Sequence, residues 1–241
     1  HNDRIIGGLT PRCSEAAVKF YKVAVKGECH VTDGRTAELC KLSENAYRDV
    51  NIAFANEMSL ICDRLGVDVW ELISLTNRAP RVEILRPGPG VGGHCIAVDP
   101  WFIFHSAPEE ARLIHAARTI NDDKPDWVVD RVIELAAELE KPTIACMGLA
   151  YKPDVDDLRE SPSVEIAAAL AAKHVGRVVV CEPFIGNLPA ELVKSGIDQV
   201  DVEGALEADV IVFLTGHSRF REISREQLVG KIIFDACGLM N

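Results

Sequence analysis

Thr143-Ile144-Ala145-Cys146-Met147-Gly148-Leu149 opens the half of the chain that decides its fold. The run is almost wholly apolar, short and punctuated by glycine, which reads as a strand buried on both faces. Ser161 to Lys173 follows as a helix, Arg177 to Cys181 as a strand closed by Glu182, and Pro189 to Ser195 as a short helix. Asp209 to Leu214 is a further buried strand and Lys231 to Asp235 another. Strands alternating with helices define a parallel, doubly wound sheet, which takes ligands in the crevice outside the carboxyl ends of its strands. The first strand-to-helix loop, Ala150 to Glu160, is long and charged. It carries Lys152 and Arg159, two cations suited to phosphate, although a merely solvated loop accounts for them equally well.

Upstream the chain reads as helical. Thr36 to Leu65 forms one long helix stopped by Gly66, with Leu39, Leu42, Ala46, Val50, Ala53, Phe54 and Ile61 as its apolar face. Lys41, Asn45 and Arg48 recur at helical spacing on a separate polar stripe, which solvation alone explains. Shorter helices are predicted over Val69 to Thr76, Pro100 to Ser106, Glu109 to Asn121 and Trp127 to Leu139. At the start, Arg4 to Gly8 reads as a strand, Ser14 as the N-cap of a helix reaching about Val25, and Cys29 to Val31 as a linking segment. This opening looks like the tail of an α/β domain that begins earlier in a longer protein. The expected fold is therefore α/β, with residues 1–30 as that tail, 31–124 as an all-helical central domain and 125–241 as a Rossmann-like sheet domain.

Between the helices lies Pro87-Gly-Pro-Gly-Val-Gly-Gly-His-Cys-Ile-Ala-Val-Asp-Pro-Trp-Phe102. Gly88, Gly90 and Gly93 match the spacing of a dinucleotide fingerprint. That motif needs a buried strand before it and an acidic residue about 20 positions on, and Arg86, Pro87, Pro89 and Asp99 deny both. Cys95, after the glycines, is a candidate nucleophile at a loop-to-helix junction, where a helix N-terminus stabilises a thiolate. Asp99, four residues on, falls on the same helical face. A glycine-rich turn with a structural cysteine is the plainer alternative.

The composition, 48% hydrophobic and 26% charged, fits a globular protein, and a net charge of −11 argues against nucleic-acid or anionic-membrane partners. No apolar run spans a bilayer and no signal-peptide pattern is present. The eight cysteines are scattered without a C-x-x-C pair, which points to buried thiols of a reducing, cytoplasmic setting and to no metal site.

Three blocks in order, Glu38 to Glu57, Gly88 to Phe102 and Gly148 to Pro162, resemble the UDP-glucose/GDP-mannose dehydrogenase family, and the resemblance runs from Asp3 onward. It implies an NAD-dependent oxidation of a sugar C6 alcohol to a carboxylate in two steps. The nucleophile it implies is Cys95, passing through a thiohemiacetal and a thioester. It assigns Lys41 as proton donor and acceptor, Asn45 to the reacting oxygen or attacking water, and Asp99 to water activation and to orienting Lys41. Arg48, Gly92, Tyr151 and Lys152 fall at substrate-contact positions and Arg159 at a cofactor contact. Arg81 resembles an arginine supplied across a homodimer interface formed by the long helix.

The family's genuine dinucleotide fingerprint and an acidic catalytic residue lie in an N-terminal domain absent from these residues, so the chain alone is expected to be inactive. His94-Cys95-Ile96 and Val98-Asp99-Pro100-Trp101-Phe102 resemble the branch acting on UDP-N-acetylhexosamines, N-acetylmannosamine above all, with UDP-glucose and UDP-N-acetylglucosamine as alternatives. Ala79 stands where mannosamine-oxidising members have histidine, and Asn241 where relatives have a substrate-binding arginine. A nucleotide-sugar-binding module without chemistry is the competing class. A 2-hydroxyacid dehydrogenase shares the layout but needs no nucleophilic cysteine.

Overall fold

The computed structural model describes residues 2–240; Asn241 and its expected substrate contact lie outside the described residues. Strand β1 (Arg4–Gly8) pairs in parallel with β2 (Cys29–Asp33), and α1 (Pro11–Tyr21) is the crossover between them. Thr10, not Ser14, caps α1, and the helix ends at Tyr21 rather than near Val25. Pro11 suits that earlier start, because a missing N–H costs nothing in the first turn. The Ser14 hydroxyl instead accepts the Gly8 N–H at 3.0 Å.

Asp33 caps α2 (Gly34–Leu65), accepting the Thr36 N–H at 3.0 Å, and Gly66 ends it with φ +67. With 32 residues, α2 is about 48 Å long. Its buried side is small and polar, built from Asn45, Ala46, Asp49, Ala53, Asn56 and Ser59. Leu39, Phe54 and Ile61, expected on the packed face, are exposed together with Tyr47. The small buried residues let α2 approach its neighbours closely, leaving the large apolar ones as an outer ridge.

Two short helices, α3 (Val69–Thr76) and α4 (Asp99–Ser106), complete the central region before α5 (Arg112–Ala136). The two helices expected over Glu109–Asn121 and Trp127–Leu139 are one, and Pro125 lies inside it. Proline removes one backbone hydrogen bond. Packing on both sides outweighs that loss: the first half of α5 lies against α2, and Val128, Val129 and Val132 enter the core of the sheet.

The sheet has the order β5-β4-β3-β6-β7, every pair parallel. Its strands are β3 (Thr143–Met147), β4 (Arg177–Cys181), β5 (Asp198–Gln199), β6 (Val210–Phe213) and β7 (Ile232–Asp235). Helices α6 (Pro162–Ala172), α7 (Ala190–Lys194) and α8 (Val202–Ala205) connect them. Ile144, Cys146, Val178, Val180, Val210 and Val212 pack on one face against α5 and α6. Ala145, Met147, Val179, Ile211 and Phe213 pack on the other against Ala205 and Phe220. Both faces are thus buried, which is why the strands read as unbroken apolar runs. From β3 the chain turns to β4 on one side and later returns through β6 on the other. The carboxyl ends of β3 and β6 therefore flank the switch point.

Candidate active site

Cys95 lies half-buried in a turn rather than on a helix, since α4 begins four residues later at Asp99. The expected helix N-terminus is therefore not at Cys95, which precedes α4 by a single turn. The Cys95 carbonyl accepts the Asp99 N–H at 2.8 Å and the Val98 N–H at 3.1 Å, so the four-residue spacing to Asp99 still holds. The Asn45 amide donates to Asp99 Oδ2 at 2.5 Å, and Lys41 Nζ donates to Asn45 Oδ1 at 3.3 Å. Lys41, Asn45 and Asp99 thus form one hydrogen-bonded chain from α2 to α4, in which Asp99 reaches Lys41 through Asn45. Lys41 is also paired with Glu44 at 3.1 Å, a partner that the sequence reading missed.

The glycines seat this turn against the loop after β3. A Cβ on Gly92 would lie 2.4 Å from the Glu160 carbonyl oxygen and 2.8 Å from Tyr151 Cβ. Gly93 N–H donates to the Arg159 carbonyl at 3.1 Å. Gly90 faces Pro125 and Pro162 rather than open space, so these glycines serve packing and build no dinucleotide cradle. Arg159 grips Asp157 through Nε (2.9 Å to Oδ1) and Nη2 (2.6 Å to Oδ2), and this holds the Asp157 carboxyl down at about 2. The Asp157 carboxylate makes the exposed guanidinium hold its proton more tightly, and Cys95 lies near it.

Tyr151 and Lys152 stand in the same loop, with Lys152 Nζ 5.5 Å from the Tyr151 ring centroid. Arg48 is exposed on α2, one turn beyond Asn45, and Ala79 is exposed in the turn after α3. Arg81 lies apart, in a surface cleft with Tyr47, Phe54 and Pro80 on the outer side of α2. The structure therefore brings together Cys95, Gly92, Tyr151 and Arg159, joins Lys41, Asn45 and Asp99, and sets Arg81 beside the apolar ridge.

A buried polar relay, not legible in the sequence, anchors the start of the nucleophile loop. Gly88 N–H donates to Asn56 Oδ1 at 2.9 Å, and Asn56 donates to Asn121 Oδ1 at 2.9 Å. Asn121 donates to Asp49 Oδ1 at 2.8 Å, where Arg118 Nη1 also binds at 2.6 Å. Burial pushes the Asp49 carboxyl up despite the Arg118 charge. Elsewhere, burial raises the Cys146 and Cys181 thiols to about 12. Among the described residues no helix is long and apolar enough to cross a membrane.

The chain belongs to the UDP-glucose/GDP-mannose dehydrogenase family: residues 35–123 match its central domain and residues 145–241 its UDP binding domain. Among individual proteins, it is 56% identical over 239 residues to an NDP-N-acetyl-D-galactosaminuronic acid dehydrogenase of Ralstonia nicotianae, covering 99% of this chain and 56% of that protein. It is 55% identical over 247 aligned residues to a UDP-N-acetyl-D-mannosamine dehydrogenase of Yersinia pestis, covering 99% of this chain and 59% of that protein. The chain thus spans little more than half the length of these relatives. A UDP-D-ManNAc dehydrogenase structure from Pyrococcus horikoshii superposes on all of this chain and 57% of its own, with a TM-score of 0.88 at 36% identity.

Proposed function

We propose that this chain is the substrate-binding and nucleophile-bearing part of an NAD-dependent dehydrogenase that oxidises the C6 alcohol of a UDP-N-acetylhexosamine to the carboxylate. The observation that carries this reading is the convergence at one turn of Cys95, the Lys41–Asn45–Asp99 chain and the Arg159 loop. Cys95 adds to the C6 aldehyde to form a thiohemiacetal, oxidation of which leaves a thioester. Lys41 takes the proton of the alcohol and steadies negative charge on the oxygen. Asn45, held by Asp99, orients the oxygen or the attacking water, and Asp99 assists the water that hydrolyses the thioester.

Arg159 offers the cofactor a cation in the loop that seats the Cys95 turn, and the glycines of that turn pack against Tyr151, Pro125 and Pro162. NAD, when bound, supplies the hydride acceptor for both oxidations. The sugar nucleotide lies over the carboxyl ends of β3 and β6, with its diphosphate on Lys152 and Tyr151 beside it. Two chains pair through the outer ridge of α2, so that Arg81 reaches the neighbouring site. The setting is cytoplasmic.

Mannosamine is the preferred sugar from the residues around Cys95. The 56% identity to a galactosaminuronic acid dehydrogenase supports the N-acetylgalactosamine epimer as a second reading. The test is a panel of nucleotide sugars given to the chain once it is joined to the N-terminal region its relatives carry. Two reduced cofactors per carboxylate support the scheme, and one refutes it. The chain by itself is expected to reduce no NAD.

A further inference from the structure

The loop that carries Tyr151 and Lys152 is held by a buried acid–imidazole pair. Glu182, directly after β4, is 2% exposed, and its Oε2 accepts the N–H groups of Leu149 at 2.7 Å and Ala150 at 3.0 Å. Its Oε1 accepts the Phe184 N–H at 3.0 Å. His217, fully buried after β6, places Nε2 2.9 Å from Glu182 Oε2, while its Nδ1 accepts the Asp154 N–H at 2.9 Å. An accepting Nδ1 carries no proton, so the ring hydrogen sits on Nε2 and is given to Glu182. Burial alone would raise Glu182, but the bonds from His217, Leu149 and Phe184 outweigh it and keep the carboxyl ionised below its usual range.

The remaining polar groups of the loop are held as closely. Ser161 Oγ donates to the Leu149 carbonyl at 2.6 Å and Thr215 Oγ1 to the Ala150 carbonyl at 2.7 Å. Asp154 has φ +60, a left-handed conformation that a non-glycine residue keeps only when its surroundings hold it there. The holders are His217 on its N–H, and Ser218, whose N–H and hydroxyl both donate to its carboxylate. Lys152 and Pro153 are thus strung between two clamped ends. In dinucleotide-binding sheets an acidic residue well beyond the first strand-to-helix turn contacts the ribose of the ligand. Here Glu182, directly after β4, spends both carboxylate oxygens inside the protein.

We propose that Glu182 and His217 are positioning residues that preset the Lys152 loop for the diphosphate of the nucleotide sugar. The inference rests on the reading that Lys152 binds that diphosphate, and it adds the device that shapes the site. Neither residue touches the ligand. Both act through the backbone of Leu149–Asp154.

The probe is uridine diphosphate, titrated calorimetrically into the 241-residue chain. His217→Phe fits among Phe184 and Phe220, whose ring centroids lie 5.0 and 5.3 Å away, and deletes both bonds. It is expected to weaken binding about tenfold or more, as is Glu182→Gln, whereas the core variant Val210→Ala, at the amino end of β6 and so at the far end of the sheet from the loop, changes affinity less than about twofold. Lys152→Ala also weakens binding, and adding His217→Phe to it costs no more than about a further threefold, because both act on one contact. Multiplying effects, or binding by His217→Phe within about twofold of the unaltered chain, overturns the proposal. If Lys152→Ala itself leaves affinity unchanged, the nucleotide reading falls and the inference with it. Nitrogen NMR of His217 in the unaltered chain, which needs no variant to fold, must show the proton on Nε2; a proton on Nδ1 also overturns it.

Discussion

Two glycines four residues apart in the nucleophile loop should respond in opposite ways to an added methyl. A Cβ at Gly92 meets the Glu160 carbonyl oxygen at 2.4 Å, Tyr151 Cβ at 2.8 Å and Pro162 Cδ at 2.9 Å. All three belong to backbone or to atoms close to it, so no side-chain rotation relieves the clash. The loop must retreat by about 1 Å to reach ordinary contact, and overpacking of this kind costs roughly 1–3 kcal/mol. A Cβ at Gly88 meets nothing nearer than the Gly90 carbonyl oxygen at 3.8 Å, and the Gly88 N–H to Asn56 is untouched. Gly88→Ala should be neutral or stabilising by about 0.4–1 kcal/mol, through the unfolded chain. Urea unfolding of the two variants beside the parent measures both changes. In the joined enzyme a retreat of about 1 Å at Cys95 should lower turnover on the order of a hundredfold for Gly92→Ala. Equal losses at the two positions, or none at Gly92, would refute the packing account of the loop.

Thiol alkylation near neutral pH should spare Cys62, Cys146 and Cys181 in the folded chain, since all three are buried and the last two are raised to about 12. UDP-sugar should protect Cys95 alone among the thiols that react, as read by peptide mass mapping; unchanged labelling of Cys95 would contradict its place in the site. Burial lowers Lys124 to about 7, against an ordinary value of 10.5. Between these values the unfolded chain holds the proton and the folded one does not. Lys124 therefore adds stability as pH rises across that window, by at most about 1.4 kcal/mol per unit, and withdraws it as pH falls towards 7. Lys124→Met should flatten that slope in denaturation curves taken from pH 7 to 10. Arg118→Met strands the buried Asp49 carboxylate and should cost about 3–5 kcal/mol in the same assay, whereas the double change with Asp49→Leu should recover most of it.

The sheet half was legible because burial on both faces leaves little but the hydrophobic pattern to read: Arg177–Cys181 and the core of each other long strand stand where the apolar runs place them. The two-residue β5 and four-residue α8 are too short to carry periodicity. Strand β2 escaped notice because it is half-exposed and pairs with only one neighbour. Pro125 misled, since its local cost is visible in sequence and the packing that overrides it is not. Within the site, Cys95 and Asp99 are sequence neighbours, and Lys41 and Asn45 share a helical face. Asn56, Glu182 and His217 act across 32 to 65 positions of chain, and nothing local marks them.

Because α5 runs unbroken from the side of α2 into the heart of the sheet, the two regions share a structural axle. Severing the chain anywhere between residues 123 and 145, where the matched segments are separated, would either strip Val128, Val129 and Val132 from the sheet or leave them on a truncated stub. Chimaeras between relatives should accordingly be joined ahead of Arg112, and a rotation of the sheet about that helix would carry Pro125, and the glycine turn resting on it, along with it.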